Sequence, residues 1–381
     1  MTSPSGPPQG AGGYPGQAPT QGFPPGGPTP ANGGQQAGGL QGEVHTLERA
    51  VFEVKRIIVG QDQLVERMLV GLLAKGHVLL EGVPGVAKTL AVETFAKVVG
   101  GTFARIQFTP DLVPTDIVGT RIYRMGKEEF DIELGPAMVN FLLADEINRA
   151  PAKVQSALLE IMAERKISLG GKTFPLPTPF LVMATQNPIE QEGVYALPEA
   201  QRDRFLFKLN VDYPTPEEER EIIYRMGVAP PTPKQILNTG DLQRLQGIAA
   251  SVFVHHALVD YVVRIVTSTR EPEKFGMPDA KAWIAYGASP RASLGIIAAS
   301  RALALVRGRD YVIPQDVVEI IPDVLRHRLV LTYDALADEV SAETVINRIM
   351  QTVALPQVNA IPQQGHSVAP AMPTPAAAGG R

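Results

Sequence analysis

The stretch GVPGVAKT at residues 82–89 constrains this chain more than any other. It follows the apolar run Val78, Leu79, Leu80 and precedes a helical pattern, which is where a phosphate-binding turn sits between a strand and a helix. Such a turn needs small residues, because backbone N–H groups must come within hydrogen-bonding distance of a triphosphate with no side chain in between. Gly82 and Gly85 meet that demand, and Val83, Pro84, Val86 and Ala87 complete the loop. Lys88 is placed to reach the β- and γ-phosphates and the Thr89 hydroxyl to ligate Mg2+, with Leu90 ending the binding segment. The helix starting there adds its positive dipole end. Ala87 stands where the general pattern G-x-x-x-x-G-K-[ST] has its last glycine. A methyl group fits if that residue has already entered the helix, and does not fit if the backbone needs positive φ.

The rest of the composition narrows the class. At 381 residues and 44% apolar content the chain exceeds one ordinary domain and has enough material for a sizeable core, so two domains plus tails are expected. A net charge of −4 gives no global basic footprint, which makes nucleic acid an unlikely partner. The absence of cysteine excludes disulfides, Cys-based zinc sites and thiol nucleophiles. No apolar run approaches the roughly 20 residues that span a bilayer, and the N-terminus has neither a basic start nor an apolar signal core. A soluble cytoplasmic protein without a membrane span is the expectation.

Residues 1–42 carry no Asp, Glu, Lys, Arg or His and are dominated by Gly, Pro and Gln, so a disordered tail is expected there. Residues 355–381, rich in Pro, Ala, Gln and Gly, repeat that character. Helical spacing of Leu47, Val51, Val54 and Ile58, then of Leu64, Met68 and Leu72, predicts two helices before the first strand. Short apolar runs at 77–81, 103–107, 140–144, 180–185 and 205–209 alternate with helical patterns, which indicates a parallel sheet covered by helices on both faces. Two interruptions read as hairpins. One places Ile122 and Tyr123 opposite Phe130, Ile132 and Leu134 around a turn at 126–128; the other flanks Gly170 and Gly171. After residue 212 a linker with Pro214 and Pro216 leads into helical patterns that run to about Val353. The domains are therefore expected at 43–212 (α/β) and 213–354 (all-helical), with tails at 1–42 and 355–381.

Further constellations lie downstream. Phe141 to Ala144 form an apolar strand ending in Asp145 and Glu146, at the carboxyl end where an open α/β sheet binds its ligands. Asp145 suits Mg2+ held through water, and Glu146 suits orientation or deprotonation of an attacking water. A further strand ends in Thr185, Gln186, Asn187, Pro188, where the Asn187 amide suits the same water or a γ-phosphate. Arg202 and Arg204 both precede the fifth strand, and either guanidinium suits a γ-phosphate. Ser289, Pro290 and Arg291 open a helix in the second domain. Adjacent His255 and His256 complete no metal site with the spacing of any carboxylates.

GVPGVAKT, LLADEINRAP, ATQNP, LPEAQRDRF and GASPRA occur in that order, and together resemble the signatures of the MoxR family of AAA+ ATPases over about residues 44–353. The resemblance implies an α/β AAA+ P-loop core, its parallel sheet between helices, followed by an all-helical lid. It implies ATP and Mg2+ as ligands, residues 82–89 as the Walker A loop, and Asp145 with Glu146 as the Walker B pair. It further implies Asn187 as sensor 1, Arg204 as the arginine finger and Arg291 as sensor 2, with Lys88 acting on the phosphates. Ala87 is then a family mark. Arg202 departs from the family, which has an apolar residue before Asp-Arg-Phe, and so stands beside Arg204 as the other finger candidate. The family implies a ring homo-oligomer, usually a hexamer, that remodels or matures client proteins, often with a von Willebrand A-domain protein. The two hairpins match inserts of this clade and are candidate contacts for substrate or partner. A DNA-remodelling motor on the same fold and a nucleotide-gated scaffold with little hydrolysis are the competing readings.

Overall fold

The structure, a computed structural model, describes residues 33–82, 88–126, 128–188, 194–227 and 231–357. Val83, Pro84, Gly85, Val86 and Ala87, most of the two expected tails, and Lys127 in the first hairpin turn lie outside the described residues.

Among the described residues, nine strands belong to the first part of the chain: β1 (His77–Gly82), β2 (Phe103–Gln107), β3 (Gly119–Arg124), β4 (Glu129–Leu134), β5 (Phe141–Asp145), β6 (Lys166–Leu169), β7 (Lys172–Pro175), β8 (Leu181–Gln186) and β9 (Phe205–Val211). Five of them form one parallel sheet in the order β2-β5-β8-β1-β9. Successive side chains of a strand point to opposite faces, and the two cores follow that alternation. Val78, Leu80, Phe141, Leu143, Leu181 and Met183 pack on one face with the helices Asp62–Leu73 and Lys88–Val99. Leu79, Leu142, Ala144, Val182 and Ala184 pack on the other with the helix Ala152–Glu164. Each fully buried Leu, Val or Phe stabilises the fold by about 1.5–3 kcal/mol, so a sheet apolar on both faces is held firmly between its helices.

The other four strands are the expected hairpins. Arg124 pairs with Glu129 next to the turn of β3–β4, and Leu169 with Lys172 next to that of β6–β7. Gly170 and Gly171 have φ of 58° and 78°, the left-handed pair that a two-residue hairpin turn requires. The first helix runs Gly33–Ile57 and so begins upstream of residue 43, where the ordered part was expected to start.

Helices Pro216–Met226, Thr239–Ser251, His256–Ser268, Pro290–Val306, Pro314–Leu325 and Ala342–Thr352 make up most of the second part. It is not purely helical: β10 (Ile284–Tyr286) pairs antiparallel with β11 (Val330–Leu331). Strands this short carry no alternation for the sequence to display. The two parts meet along β9, an edge strand of the sheet. Arg326 donates to the Lys208 carbonyl, Arg328 donates to those of Phe205 and Leu206, and His327 Nε2 lies 3.0 Å from the Phe205 oxygen. These side chains occupy backbone acceptors that would otherwise lie open at the sheet edge. A buried ion pair, Arg67 Nε to Asp323 Oδ2 at 2.7 Å, adds a second tie, and the residues from Leu40 onward form one compact unit.

Candidate active site

The sheet register assembles one cluster of side chains at the carboxyl ends of the strands. Asp145 shares the face of Phe141 and Leu143, which is the face of the helix that Lys88 begins. On its two sides β2 places Gln107 directly opposite Asp145, and β8 brings Thr185 alongside. Thr185 Oγ1 donates to Asp145 Oδ1 at 2.5 Å and accepts from the Glu146 N–H at 2.8 Å, so one hydroxyl fixes both acidic residues. Arg105 donates twice to Asp145 Oδ2, at 3.0 Å and 2.6 Å. Glu146 Oε2 accepts from Gln107 at 2.7 Å and from Arg149 at 2.9 Å.

Glu146 has φ of 54°, left-handed backbone that costs a residue with a Cβ about 1–2 kcal/mol. Lys88 Nζ donates to the Gly82 carbonyl at 2.6 Å. Burial pushes its ammonium pKa down, while Asp145, Glu146 and Glu81 pull it back up, which puts both carboxylates within electrostatic reach of Lys88. Thr89 is half-buried beside it and Leu90 is exposed on the same helix turn. Asn187, just past β8, is buried, and its carbonyl oxygen lies 3.5 Å from Asn148 Nδ2. Gly82 has a structural reason to be glycine besides the one read from the loop pattern: a Cβ there would lie 2.3 Å from the Val211 carbonyl oxygen of β9.

The oxygens present suit one kind of metal. Thr89 and Asp145 offer hard oxygen donors, which suit Mg2+ held directly or through water.

Arg204 and Arg291 are elsewhere. Residue 77 pairs with Phe205 and Gly82 with Val211, so Arg204 precedes the first of these pairs while Lys88 follows the last. At about 3.3 Å per residue the two ends of β1 are roughly 17 Å apart. Arg204 is exposed at the amino end and donates to the Leu159 carbonyl. Arg202 is tied to Glu199 at 3.5 Å with its side chain mostly covered, which makes Arg204 the more available of the two. Asp203 between them accepts from Ser289 Oγ at 2.9 Å and Arg291 at 3.3 Å through one oxygen, and from Arg328 at 2.8 Å through the other. Arg204, Arg291 and Arg328 thus line one cleft of about 330 Å³ over His77, Met162 and Leu206. Burial pushes the Arg328 pKa down and Asp203 opposes that shift.

Residues 77–207 match the model of the ATPase family associated with various cellular activities (AAA), and residues 279–349 that of the AAA lid domain. Over 386 aligned residues, covering all of both chains, the sequence is 78% identical to "Chaperone MoxR1" of Mycobacterium tuberculosis. The chain belongs to the MoxR family of AAA+ ATPases. A "Protein MoxR" of Paracoccus denitrificans is 34% identical over 72% of this chain and 86% of its own. A crystal structure of a candidate ATPase from Cytophaga hutchinsonii aligns with a TM-score of 0.80 at 41% identity, covering 85% of this chain and 98% of that one.

Several side chains of this MoxR chain's site escape sequence reasoning. Arg105 and Gln107 lie on β2 at a spacing of two, a signal that they share a face, yet only the β2–β5 register shows that the face is that of Asp145. Arg149 lies inside the LLADEINRAP motif, three residues past Glu146, without the motif indicating that it contacts that carboxylate. Arg328 carries no motif at all.

Proposed function

We propose that this chain hydrolyses ATP at the cluster of Lys88, Thr89, Asp145, Glu146 and Asn187, and that Arg204 and Arg291 complete the equivalent cluster of a neighbouring copy. The observation supporting this most strongly is the division of the site residues between opposite ends of one sheet. An arginine beside one end of β1, a strand roughly 17 Å long, with the phosphate-binding lysine beyond the other end, is suited to another subunit's nucleotide.

In this reading Lys88 holds the β- and γ-phosphates. Glu146, its backbone fixed by Thr185, takes the proton of the attacking water, and the Asn187 amide orients that water. Thr89 and Asp145 would hold Mg2+, which when bound would neutralise charge on the phosphate oxygens. Repeating a head-to-tail contact closes a ring, with six copies as the expected number. The 43–212 and 213–354 regions act as nucleotide-binding and lid domains.

The work driven is chaperone-like remodelling or maturation of client proteins in the cytoplasm, with a von Willebrand A-domain protein as one partner. The name of the Mycobacterium tuberculosis relative supports the chaperone role. The β3–β4 hairpin supports contact with proteins, because Tyr123, Met125 and Phe130 are exposed on it and Arg121 stacks 4.4 Å from the Phe130 ring.

Glu146→Gln tests the chemistry. It is expected to keep nucleotide binding and to lower ATP turnover by about 10²–10⁴-fold. Turnover equal to that of the unaltered chain contradicts the assignment.

A further inference from the structure

Asp145 is expected to face the metal, yet its lone pairs are largely taken by the chain itself. A carboxylate offers about four acceptor positions. Both of those on Oδ2 receive Arg105, and one on Oδ1 receives Thr185. The Thr185 hydroxyl is neutral and compatible with a nearby cation. The Arg105 guanidinium is not: it places a positive charge where the hydration shell of Mg2+ would donate its hydrogens.

Arg105 also reaches the second carboxylate indirectly. Its Nη2 donates to Gln107 Oε1 at 2.9 Å, and this turns the Gln107 amide nitrogen toward Glu146 Oε2, 2.7 Å away. One side chain thereby fixes what faces both acidic residues. Its side chain is 48% exposed on an edge strand, so water receives the guanidinium when it lets go.

We propose that Arg105 is a positioning residue that stands in for the metal, holding Asp145 and, through Gln107, Glu146 until Mg2+ with nucleotide displaces it. The competition lets the pair of acids stay ordered in the absence of a divalent cation and couples metal loading to the side chains of β2. It rests on the reading of Lys88, Thr89 and Asp145 as a Mg2+–nucleotide site.

The test is binding of a fluorescent non-hydrolysable ATP analogue to the full chain while Mg2+ is titrated. Arg105→Gln is expected to lower the half-saturating Mg2+ about fivefold, the scale of one partly exposed ion pair. Arg105→Lys, which restores the charge, is expected to return the Mg2+ requirement to near that of the unaltered chain. In an Asp145→Asn background Arg105→Gln is expected to have no effect on the Mg2+ requirement. An unchanged or raised Mg2+ requirement in Arg105→Gln overturns the proposal while the unaltered chain still responds to Mg2+. If the unaltered chain binds the analogue with no Mg2+ response, the metal-site reading fails and the proposal with it.

Discussion

His77 begins β1 with its side chain buried, Nδ1 accepting from the Val182 N–H at 2.9 Å and Nε2 3.3 Å from the Met162 carbonyl. Burial lowers its pKa to about 4. The unfolded chain, with histidine near its ordinary value of about 6.5, takes up the proton first as pH falls. Stability from this residue is therefore complete above about pH 6.5 and lost progressively down to about pH 4, with a span of about 3 kcal/mol. His77→Gln keeps a donor and an acceptor without a titrating ring. Urea unfolding at pH 7 and pH 4.5 is expected to show a smaller acid loss in that variant by about 2–3 kcal/mol; parallel losses contradict it. Lys88 with Thr89, and Asp145 with Glu146, are neighbours in the sequence, so the grouping of each proposed pair was legible from a local pattern. Arg105 and Arg328 were not, because their partners Asp145 and Asp203 are brought to them by strand register and by the packing of the second part on β9.

At the scale of elements, β1 lies inside the sheet between β8 and β9, and its last residue approaches β9 closely. The Cβ of an alanine at 82 would press on the β9 backbone at Val211, and backbone cannot move aside as a flexible side chain does. Gly82→Ala is expected to destabilise the chain by roughly 1–3 kcal/mol, measured by denaturant unfolding, before any effect on phosphate binding. A variant as stable as the unaltered chain contradicts this account of the β1–β9 contact. Alternating strand and helix patterns were enough to show a parallel sheet and both hairpins. They did not show the order β2-β5-β8-β1-β9, because apolar residues on both faces leave no mark of which strand lies beside which. The β10–β11 ribbon and the covering of the β9 edge by Arg326 and Arg328 were likewise invisible, since each depends on a few residues far apart in the chain.

For the whole molecule, one sheet separates two clusters of side chains. Lys88, Asp145 and Glu146 stand at its carboxyl end, and Arg204 with the Asp203–Arg291–Arg328 cluster at the amino end of β9. In the proposed reading neither cluster suffices alone, and activity would belong to the assembly. In that reading subunits carrying Arg204→Ala and subunits carrying Glu146→Gln would each lack one half, and every site in a ring of either kind would be defective. The most direct measurement is ATP turnover of the two inactive preparations after their subunits are mixed and reassembled. Recovered turnover that rises with the fraction of mixed interfaces is the expected result. Mixed rings as silent as their parents, under conditions where unaltered subunits reassemble with full activity, contradict a shared site.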